Sequence, residues 1–236
     1  MTELIYLRDS YLQDFEATIT AIQGRNVVLN KTAFYPEGGG QPDDRGKLVR
    51  LSDKKVFQVL AVKKLGPQVL HNVDSDGLNV GDNIHGWLDW ERRHKLMRMH
   101  TASHVLSAVI NKETNALITG NQLNIDKSRV DFSSESDVKE RLKEFEQKTN
   151  EILAKEIEVE TKFLPYKEAM KIPSVVKLAH VLPPNIPELR IVAIGDVDVQ
   201  ADGGTQVKNT KECGKIEITE FENKGKARKR IYFILK

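Results

Sequence analysis

Two pairs of polar residues in this 236-residue chain have the spacing of side chains that act together on one ion. His100 and His104 stand four positions apart in the segment HTASH. Residues four apart on a helix project from one face, and two imidazoles so placed commonly hold zinc. Asp202 and Gln206 stand at the two ends of the turn DGGTQ, so both could present an oxygen to one point. A metal site built on the histidines is therefore one interpretation.

The histidine spacing alone leaves an alternative open, which is a buried pair bonded to backbone groups or carboxylates. No glutamate follows His100, so the metalloprotease helix motif with its built-in general base is excluded. If a metal binds, further ligands must come from elsewhere in the chain. The sequence offers Asp202, Gln206, Cys213 and His180.

The histidines need a helix to bring them together, and the apolar period predicts one from Trp90 to Thr114. His100 and His104 fall on the flank of its apolar stripe. That stripe consists of Leu96, Met99, Ala102, Leu106, Val109 and Ile110.

Residues 11–90 contain closely spaced short strands with turn signals between them, among them FEATITAI, VVLN and NIHGWLDW. This pattern predicts a small β-barrel or a curled sheet. The segment FYPEGGGQPDDRG interrupts the strands, and its three consecutive glycines indicate a backbone at positive φ or in close approach to another group.

After the first helix, the pattern predicts a second helix beyond SSES, strands at IEVETKFLP, ELRIVAIG and DVDVQ, and a closing hairpin of KIEITEFE with RKRIYFILK. We therefore expect an α+β protein. Its predicted domains are a β-barrel-like domain at 1–90 and an α+β domain at 91–236.

Composition bounds the class of protein: 39% of residues are hydrophobic and 30% charged, as in ordinary globular proteins. No apolar run approaches the roughly 20 residues that span a membrane, so no membrane partner is expected. The N-terminus lacks the features of a secretory signal, and a single cysteine fits a reducing cytosol, so a cytoplasmic location is expected. The net charge of +2 does not itself imply nucleic-acid binding. Basic clusters at 91–98 and 224–230 could bind phosphates or form solvated faces.

Three separated segments, in this order, resemble the editing domain of alanyl-tRNA synthetase: TAFYPEGGGQPDDRG, HTASH and QADGGTQVKNTKECGKIEI. Over nearly its whole length the chain resembles the freestanding alanyl-tRNA editing proteins called AlaX. The resemblance implies a barrel-like N-terminal domain, a metal-bearing editing domain, and an ATP-independent aminoacyl-tRNA deacylase that serves translation fidelity.

The third motif of that family typically reads Cys-Gly-Gly-Thr-His and completes a four-ligand zinc site with the two helical histidines. Here Asp202 stands at the position of the cysteine and Gln206 at that of the histidine. The resemblance thus implies one zinc per chain, held by His100, His104, Asp202 and Gln206. Glutamine is a weak ligand, and oxygen in place of sulfur weakens the preference for zinc and admits other divalent metals. The alternative is that tight metal binding is lost and Asp202 caps the turn.

The resemblance also implies that Thr32 lines the amino-acid pocket and that Gly38, Gly39 and Gly40 border it. A hydroxyl placed to bond the hydroxyl of serine discriminates against alanine, which leaves that group unpaired. Gln41 is the second candidate catalytic residue, by orienting the substrate, although it could merely hold the loop. The alternative for Thr32 is a threonine that ends a strand.

The predicted function is hydrolysis of the ester that joins a wrong amino acid to tRNA(Ala). The expected substrate is chiefly seryl-tRNA(Ala), with glycyl-tRNA(Ala) second. We expect a monomer or weak homo-oligomer that holds the acceptor end through phosphates. The candidate phosphate-binding residues are Arg92, Arg93, Arg98, Lys226, Arg228 and Lys229. The alternatives are a metal-dependent esterase or amidase of small molecules and a non-catalytic tRNA-binding module with a degenerate metal site.

Overall fold

The structure is a computed structural model that describes residues 1–134, 138–176, 187–225 and 227–236. The chain forms two compact units, Met1–Leu96 and Met97–Lys236. Within the described ranges, no helix is long and apolar enough to cross a membrane.

The first unit is built on a closed β-barrel. Its strands are β1 (Glu3–Leu4), β2 (Asp14–Gln23), β3 (Asn26–Leu29), β4 (Lys31–Thr32), β5 (Gly46–Arg50), β6 (Val56–Leu65), β7 (Gln68–Val73) and β8 (Asn83–Leu88). Six of them close in the order β2-β3-β7-β6-β5-β8, which confirms the predicted barrel. The short β1 and β4 pair in parallel beside it.

The barrel is held by the side chains that each strand turns inward. In β2, Phe15, Ala17 and Ile19 are buried while their neighbours are more exposed, the period of two expected for a strand with one buried face. Phe15 lies against β8 at Gly86, where an added Cβ atom would stand 2.6 Å from the phenylalanine ring. A glycine is therefore required at this point of a strand that otherwise favours larger residues.

Helix α1 (Trp90–Thr114) has the predicted bounds, and the boundary between the two units falls within it. It begins where the Asp89 carboxylate accepts a hydrogen bond from the backbone N–H of Arg92, at 3.1 Å. The predicted apolar stripe is buried, with Leu96 and Leu106 fully covered. His100 and His104 are buried beside it, at 3% and 8% exposure.

In its described residues, the second unit combines the rest of α1 with three further α-helices and two antiparallel sheets. Its further elements are β9 (Leu117–Gln122), β10 (Ser128–Ser133), α2 (Leu142–Leu153), β11 (Val159–Pro165), α3 (Tyr166–Ala169), α4 (Pro173–Val176), β12 (Glu188–Ile194), β13 (Asp198–Ala201), β14 (Ile216–Asn223) and β15 (Lys229–Leu235). One sheet has the order β14-β15-β10-β9 and the other β11-β12-β13. The protein is thus a mixed α and β structure with a closed barrel.

Candidate metal centre

Three side chains of the second unit present ligand atoms that lie within 4.8 Å of one another: His100, His104 and Asp202. The histidines come from adjacent turns of α1, and their ring centroids are 5.0 Å apart. Asp202 follows the last residue of β13, and its Oδ1 lies 3.7 Å from Nε2 of His100. Two imidazole nitrogens and a carboxylate oxygen are a donor set that suits a divalent metal such as zinc.

Both imidazoles are held in place through hydrogen bonds to the protein. Nδ1 of His104 lies 2.7 Å from the Asp198 carboxylate, which can only accept, so this nitrogen donates. In the neutral ring, Nε2 then keeps a free lone pair. His100 is bonded to the backbone of Thr205. A carboxylate or carbonyl behind a ligating histidine orients its ring and raises its basicity.

The charges at the centre favour a cation. Burial lowers the pKa of His100 to about 4, so the ring is neutral near pH 7 and its nitrogen can act as a ligand. Burial also opposes ionisation of Asp202, but the electrostatic interactions with His100, His104 and Arg190 outweigh it and lower the pKa of this carboxyl below its usual value. For His104, burial is likewise outweighed, by the hydrogen bond and charge of Asp198, and its pKa is raised.

The turn that carries Asp202 is fixed by its own hydrogen bonds. Asp202 Oδ1 accepts from the backbone N–H of Gly204 at 3.1 Å, an Asx turn. Behind the turn, the Arg190 guanidinium donates to the backbone oxygens of Asp202 and Gly204, at 2.8 and 2.9 Å. These hydrogen bonds therefore hold the Asp202 carboxylate beside the histidines.

Gln206, the other end of the turn, has both ends of its amide engaged within the protein. Its Nε2 donates to Asp202 Oδ2 at 2.8 Å, and its Oε1 accepts from the Thr101 hydroxyl at 2.7 Å. Thr101 also accepts from the backbone N–H of Val207, which leaves its proton for Gln206. The structure thus gives Gln206 a direct role in holding Asp202, while its role as a ligand stays a prediction.

Of the other two ligand candidates, Cys213 does not join this group. Cys213 is buried at the end of a short 3₁₀ turn, Thr210–Cys213, and burial raises the pKa of its thiol to about 12. His180 lies outside the described residues.

Thr32 lies in the first unit, at the end of β4, and is fully buried. Its hydroxyl oxygen is 2.8 Å from Nε2 of His71 on β7 and accepts a hydrogen bond from the backbone N–H of Phe34 at 3.1 Å. The other ring nitrogen of His71 is 3.1 Å from the carbonyl oxygen of Val27.

The glycine-rich loop has the backbone that its composition indicates. Gly39 and Gly40 adopt positive φ, at 56° and 82°. Gly38 and Gln41 exchange two backbone hydrogen bonds across the turn, and the Tyr35 hydroxyl donates to the carbonyl of Gly38 at 2.8 Å. Gln41 is 1% exposed, so its side chain is enclosed by the protein.

Two of the predicted phosphate-binding residues, Arg93 and Lys229, are buried. Arg93 is fully covered, and its guanidinium donates to the Asp44 carboxylate and to the carbonyls of Ser10 and Ala33. Lys229 is 5% exposed and closes the terminal hairpin through Asn223 and Gly225. Both side chains are thus engaged within the protein in this structure.

The remaining basic candidates differ in exposure. Arg92 is half-buried and donates to the carbonyl of Asp43, while Arg98 is half-buried and donates to the carbonyl of Cys213 at 3.0 Å. Arg228 is exposed, and Lys226 lies outside the described residues.

Sequence reasoning missed two residues of these sites. Asp198 carries a signal, because it stands four positions before Asp202 in a predicted strand, and alternate residues of a strand share a face. His71 carries no local signal, because only closure of the barrel brings β7 beside Thr32.

Comparison with known families matches two parts of the chain. Residues 3–92 match the family described as tRNA synthetases class II (A). Residues 189–232 match the family described as the threonyl and alanyl tRNA synthetase second additional domain.

Similar proteins extend this likeness over the full chain. The alanyl-tRNA editing protein AlaX-M of Saccharolobus solfataricus is 45% identical over 237 residues, covering 100% of both chains. The protein of the same name from Methanosarcina barkeri is 46% identical over 241 residues, covering 100% of this chain and 99% of its own. The alanine–tRNA ligase of Thermococcus kodakarensis is 37% identical over 237 residues, which are 98% of this chain and 25% of the ligase.

Proposed function

Because the chain belongs to the family of alanyl-tRNA editing proteins AlaX-M, we propose that it hydrolyses the ester that joins a wrong amino acid to tRNA(Ala). It is a deacylase that edits in trans, with tRNA as its partner. The observation that carries this function is the likeness over the full length of relatives that bear this name. Its substrates in this proposal are seryl-tRNA(Ala) and, with lower activity, glycyl-tRNA(Ala).

The proposal places one zinc ion per chain at His100, His104 and Asp202. Three protein ligands of this kind are typical of catalytic zinc sites, whereas structural sites use four. A metal there supplies a Lewis acid for the ester carbonyl and for water. The chain's own part is to hold two neutral imidazoles and one carboxylate in a fixed arrangement.

Gln206 belongs to the proposal as a positioning residue. Its amide nitrogen bonds one oxygen of Asp202, and its amide oxygen is bonded to Thr101. This arrangement supports a role behind the carboxylate in place of the ligand role implied by the family motif.

For the amino acid, the proposal assigns discrimination to Thr32 and the border of the pocket to the loop of Gly38, Gly39 and Gly40. It assigns the orientation of the substrate to Gln41. A site that bonds the serine hydroxyl loses that bond with alanine, and an unpaired buried group costs about 1–3 kcal/mol. Since Thr32 is fully covered, the substrate side chain has to displace its cover to reach the hydroxyl.

The acceptor end of the tRNA is proposed to contact Arg92, Arg98, Lys226 and Arg228. Such contacts release counterions, so the affinity for tRNA should fall steeply with salt. Arg93 and Lys229 are left out because they are buried.

The experiment that tests the function compares three substrates: seryl-tRNA(Ala), alanyl-tRNA(Ala) and serine ethyl ester. Cleavage of the seryl-tRNA with little loss of the alanyl-tRNA supports the proposal. Cleavage of the free ester alone would indicate a small-molecule esterase, and tRNA binding without cleavage would indicate a non-catalytic module.

Variants of the metal centre sharpen this test. His104→Ala should lower seryl-tRNA hydrolysis by at least about a hundredfold and remove the zinc measured by elemental analysis. His94→Ala is the matched control, since His94 lies on the same helix but stacks on Trp90 outside the group. Equal effects of the two substitutions would contradict the proposed metal site.

A further inference from the structure

For Thr32 and His71, inside the barrel, the surrounding groups fix which atom donates and which accepts in each hydrogen bond. Both side chains are fully buried, and they lie 39 positions apart in the chain. Their two polar groups are 2.8 Å apart, and the rings of His71 and Phe34 pack edge to face, with centroids 5.6 Å apart.

The direction of each hydrogen bond follows from the partners. The carbonyl oxygen of Val27 can only accept, so Nδ1 of His71 carries a hydrogen. Burial lowers the pKa of His71 to about 4, so near neutral pH the ring holds a single hydrogen. Nε2 is then a bare acceptor, and the Thr32 hydroxyl must donate to it.

The Thr32 hydroxyl can consequently make one more hydrogen bond, as an acceptor. It donates its hydrogen in the bond to His71, and one of its two lone pairs accepts from the backbone N–H of Phe34. One lone pair remains, and a lone pair can only accept.

We propose that His71 is a positioning residue for amino-acid selection, which fixes the Thr32 hydroxyl as an acceptor for a substrate side chain that donates a hydrogen. This inference rests on the proposed function. Among aminoacyl groups that have a side chain, it narrows the preferred substrates to those with a hydrogen-bond donor on the β carbon. The glycyl group, which has no side chain, is cleaved without this contact. Serine has such a donor, whereas alanine and an acceptor-only analogue of the same size, 3-fluoroalanine, do not.

The test measures kcat/KM for seryl-, 3-fluoroalanyl- and glycyl-tRNA(Ala). The wild-type protein should prefer the seryl to the fluoroalanyl substrate by about tenfold or more. His71→Phe keeps an aromatic ring but removes the acceptor, which frees the Thr32 hydrogen, so the preference should fall to about threefold or less. His71→Gln restores a side-chain oxygen and should recover most of the preference.

Matched controls separate selection from damage to the fold. His85→Phe makes the same substitution at another barrel histidine, one that bonds Asp14 and stacks on Trp87, and should leave the substrate ratio unchanged. Structural damage would lower all three rates together and would not move the ratio.

A spectroscopic measurement keeps the inference testable if His71→Phe does not fold. The ¹⁵N chemical shifts of His71 in the wild-type protein should show a protonated Nδ1 and a bare Nε2. A hydrogen on Nε2, or an unchanged substrate ratio in a folded His71→Phe protein, would overturn the inference. Wild-type protein that cleaves seryl and fluoroalanyl substrates equally would overturn it too, whereas failure to cleave seryl-tRNA at all would refute the proposed function itself.

Discussion

Acid should destabilise the barrel through His71, and His71→Gln should remove that effect. The ordinary pKa of 6.5 is lowered to about 4 in the folded protein because the ring is buried away from water. Between these two values the unfolded chain binds a proton that the folded chain does not. The contribution of the neutral His71 ring to the free energy of unfolding is therefore fully present above pH 6.5 and is lost as the pH falls toward 4.

The magnitude follows from the two pKa values. The gap between 6.5 and about 4, at about 1.4 kcal/mol per pH unit, corresponds to roughly 3 kcal/mol of unfolding free energy. A glutamine side chain does not titrate, so the free energy of unfolding of the His71→Gln variant should fall less than that of the wild type as the pH is lowered. The difference between the two decreases should reach up to roughly 3 kcal/mol. The comparison is between these decreases, whatever the stability of each protein at pH 7.

Urea unfolding followed by tryptophan fluorescence measures this effect where it arises. The chain has two tryptophans, Trp87 and Trp90, and both lie in the first unit with His71. His100, whose pKa is also lowered by burial, lies in the second unit and is present in both proteins. If the wild type and His71→Gln show the same dependence on pH, then His71 is not the buried neutral ring inferred above.

Four further substitutions test the metal centre and the barrel. Asp202→Ala leaves two neutral histidines and should weaken zinc binding by at least about a hundredfold, whereas Gln206→Ala should cost about tenfold or less, as measured by competition with a chromophoric chelator. Asp198→Asn removes the carboxylate behind His104 and should weaken zinc binding by about 10–100-fold in the same assay; unchanged affinity would make that contact structural only. Arg93→Met strands a buried carboxylate and should lower the free energy of unfolding of the first unit by about 3–5 kcal/mol in urea titration, and a loss under about 1 kcal/mol would contradict this.

The elements with strong periodicity could be predicted from the sequence. Helix α1 has its predicted bounds, because its apolar stripe is continuous and begins after Asp89. The barrel was predicted because alternation in strands such as β2 shows which side chains turn inward. Strands β9 and β10 were missed; β9 has no buried residue, so its sequence lacks the alternation that marks a half-buried strand.

The candidate site divides in the same way. Spacing alone predicts that His100 and His104 share a face, and that DGGTQ is a turn. Spacing cannot predict that Asp202 lies 3.7 Å from His100, that Gln206 bonds Thr101 across 105 positions, or that Thr32 bonds His71 across 39. The sequence also shows the charge of Arg93 but not its burial against Asp44.

The physical reason is the range over which each interaction acts. Helix period, strand alternation and turn chemistry depend on neighbours within a few residues, so the sequence by itself determines them. Which polar groups meet, and whether a charge faces water or another charge, depends on how β-strands and helices pack after distant parts of the chain have come together. A residue type sets which bonds a side chain can make, and only the tertiary structure decides with which partner it makes them.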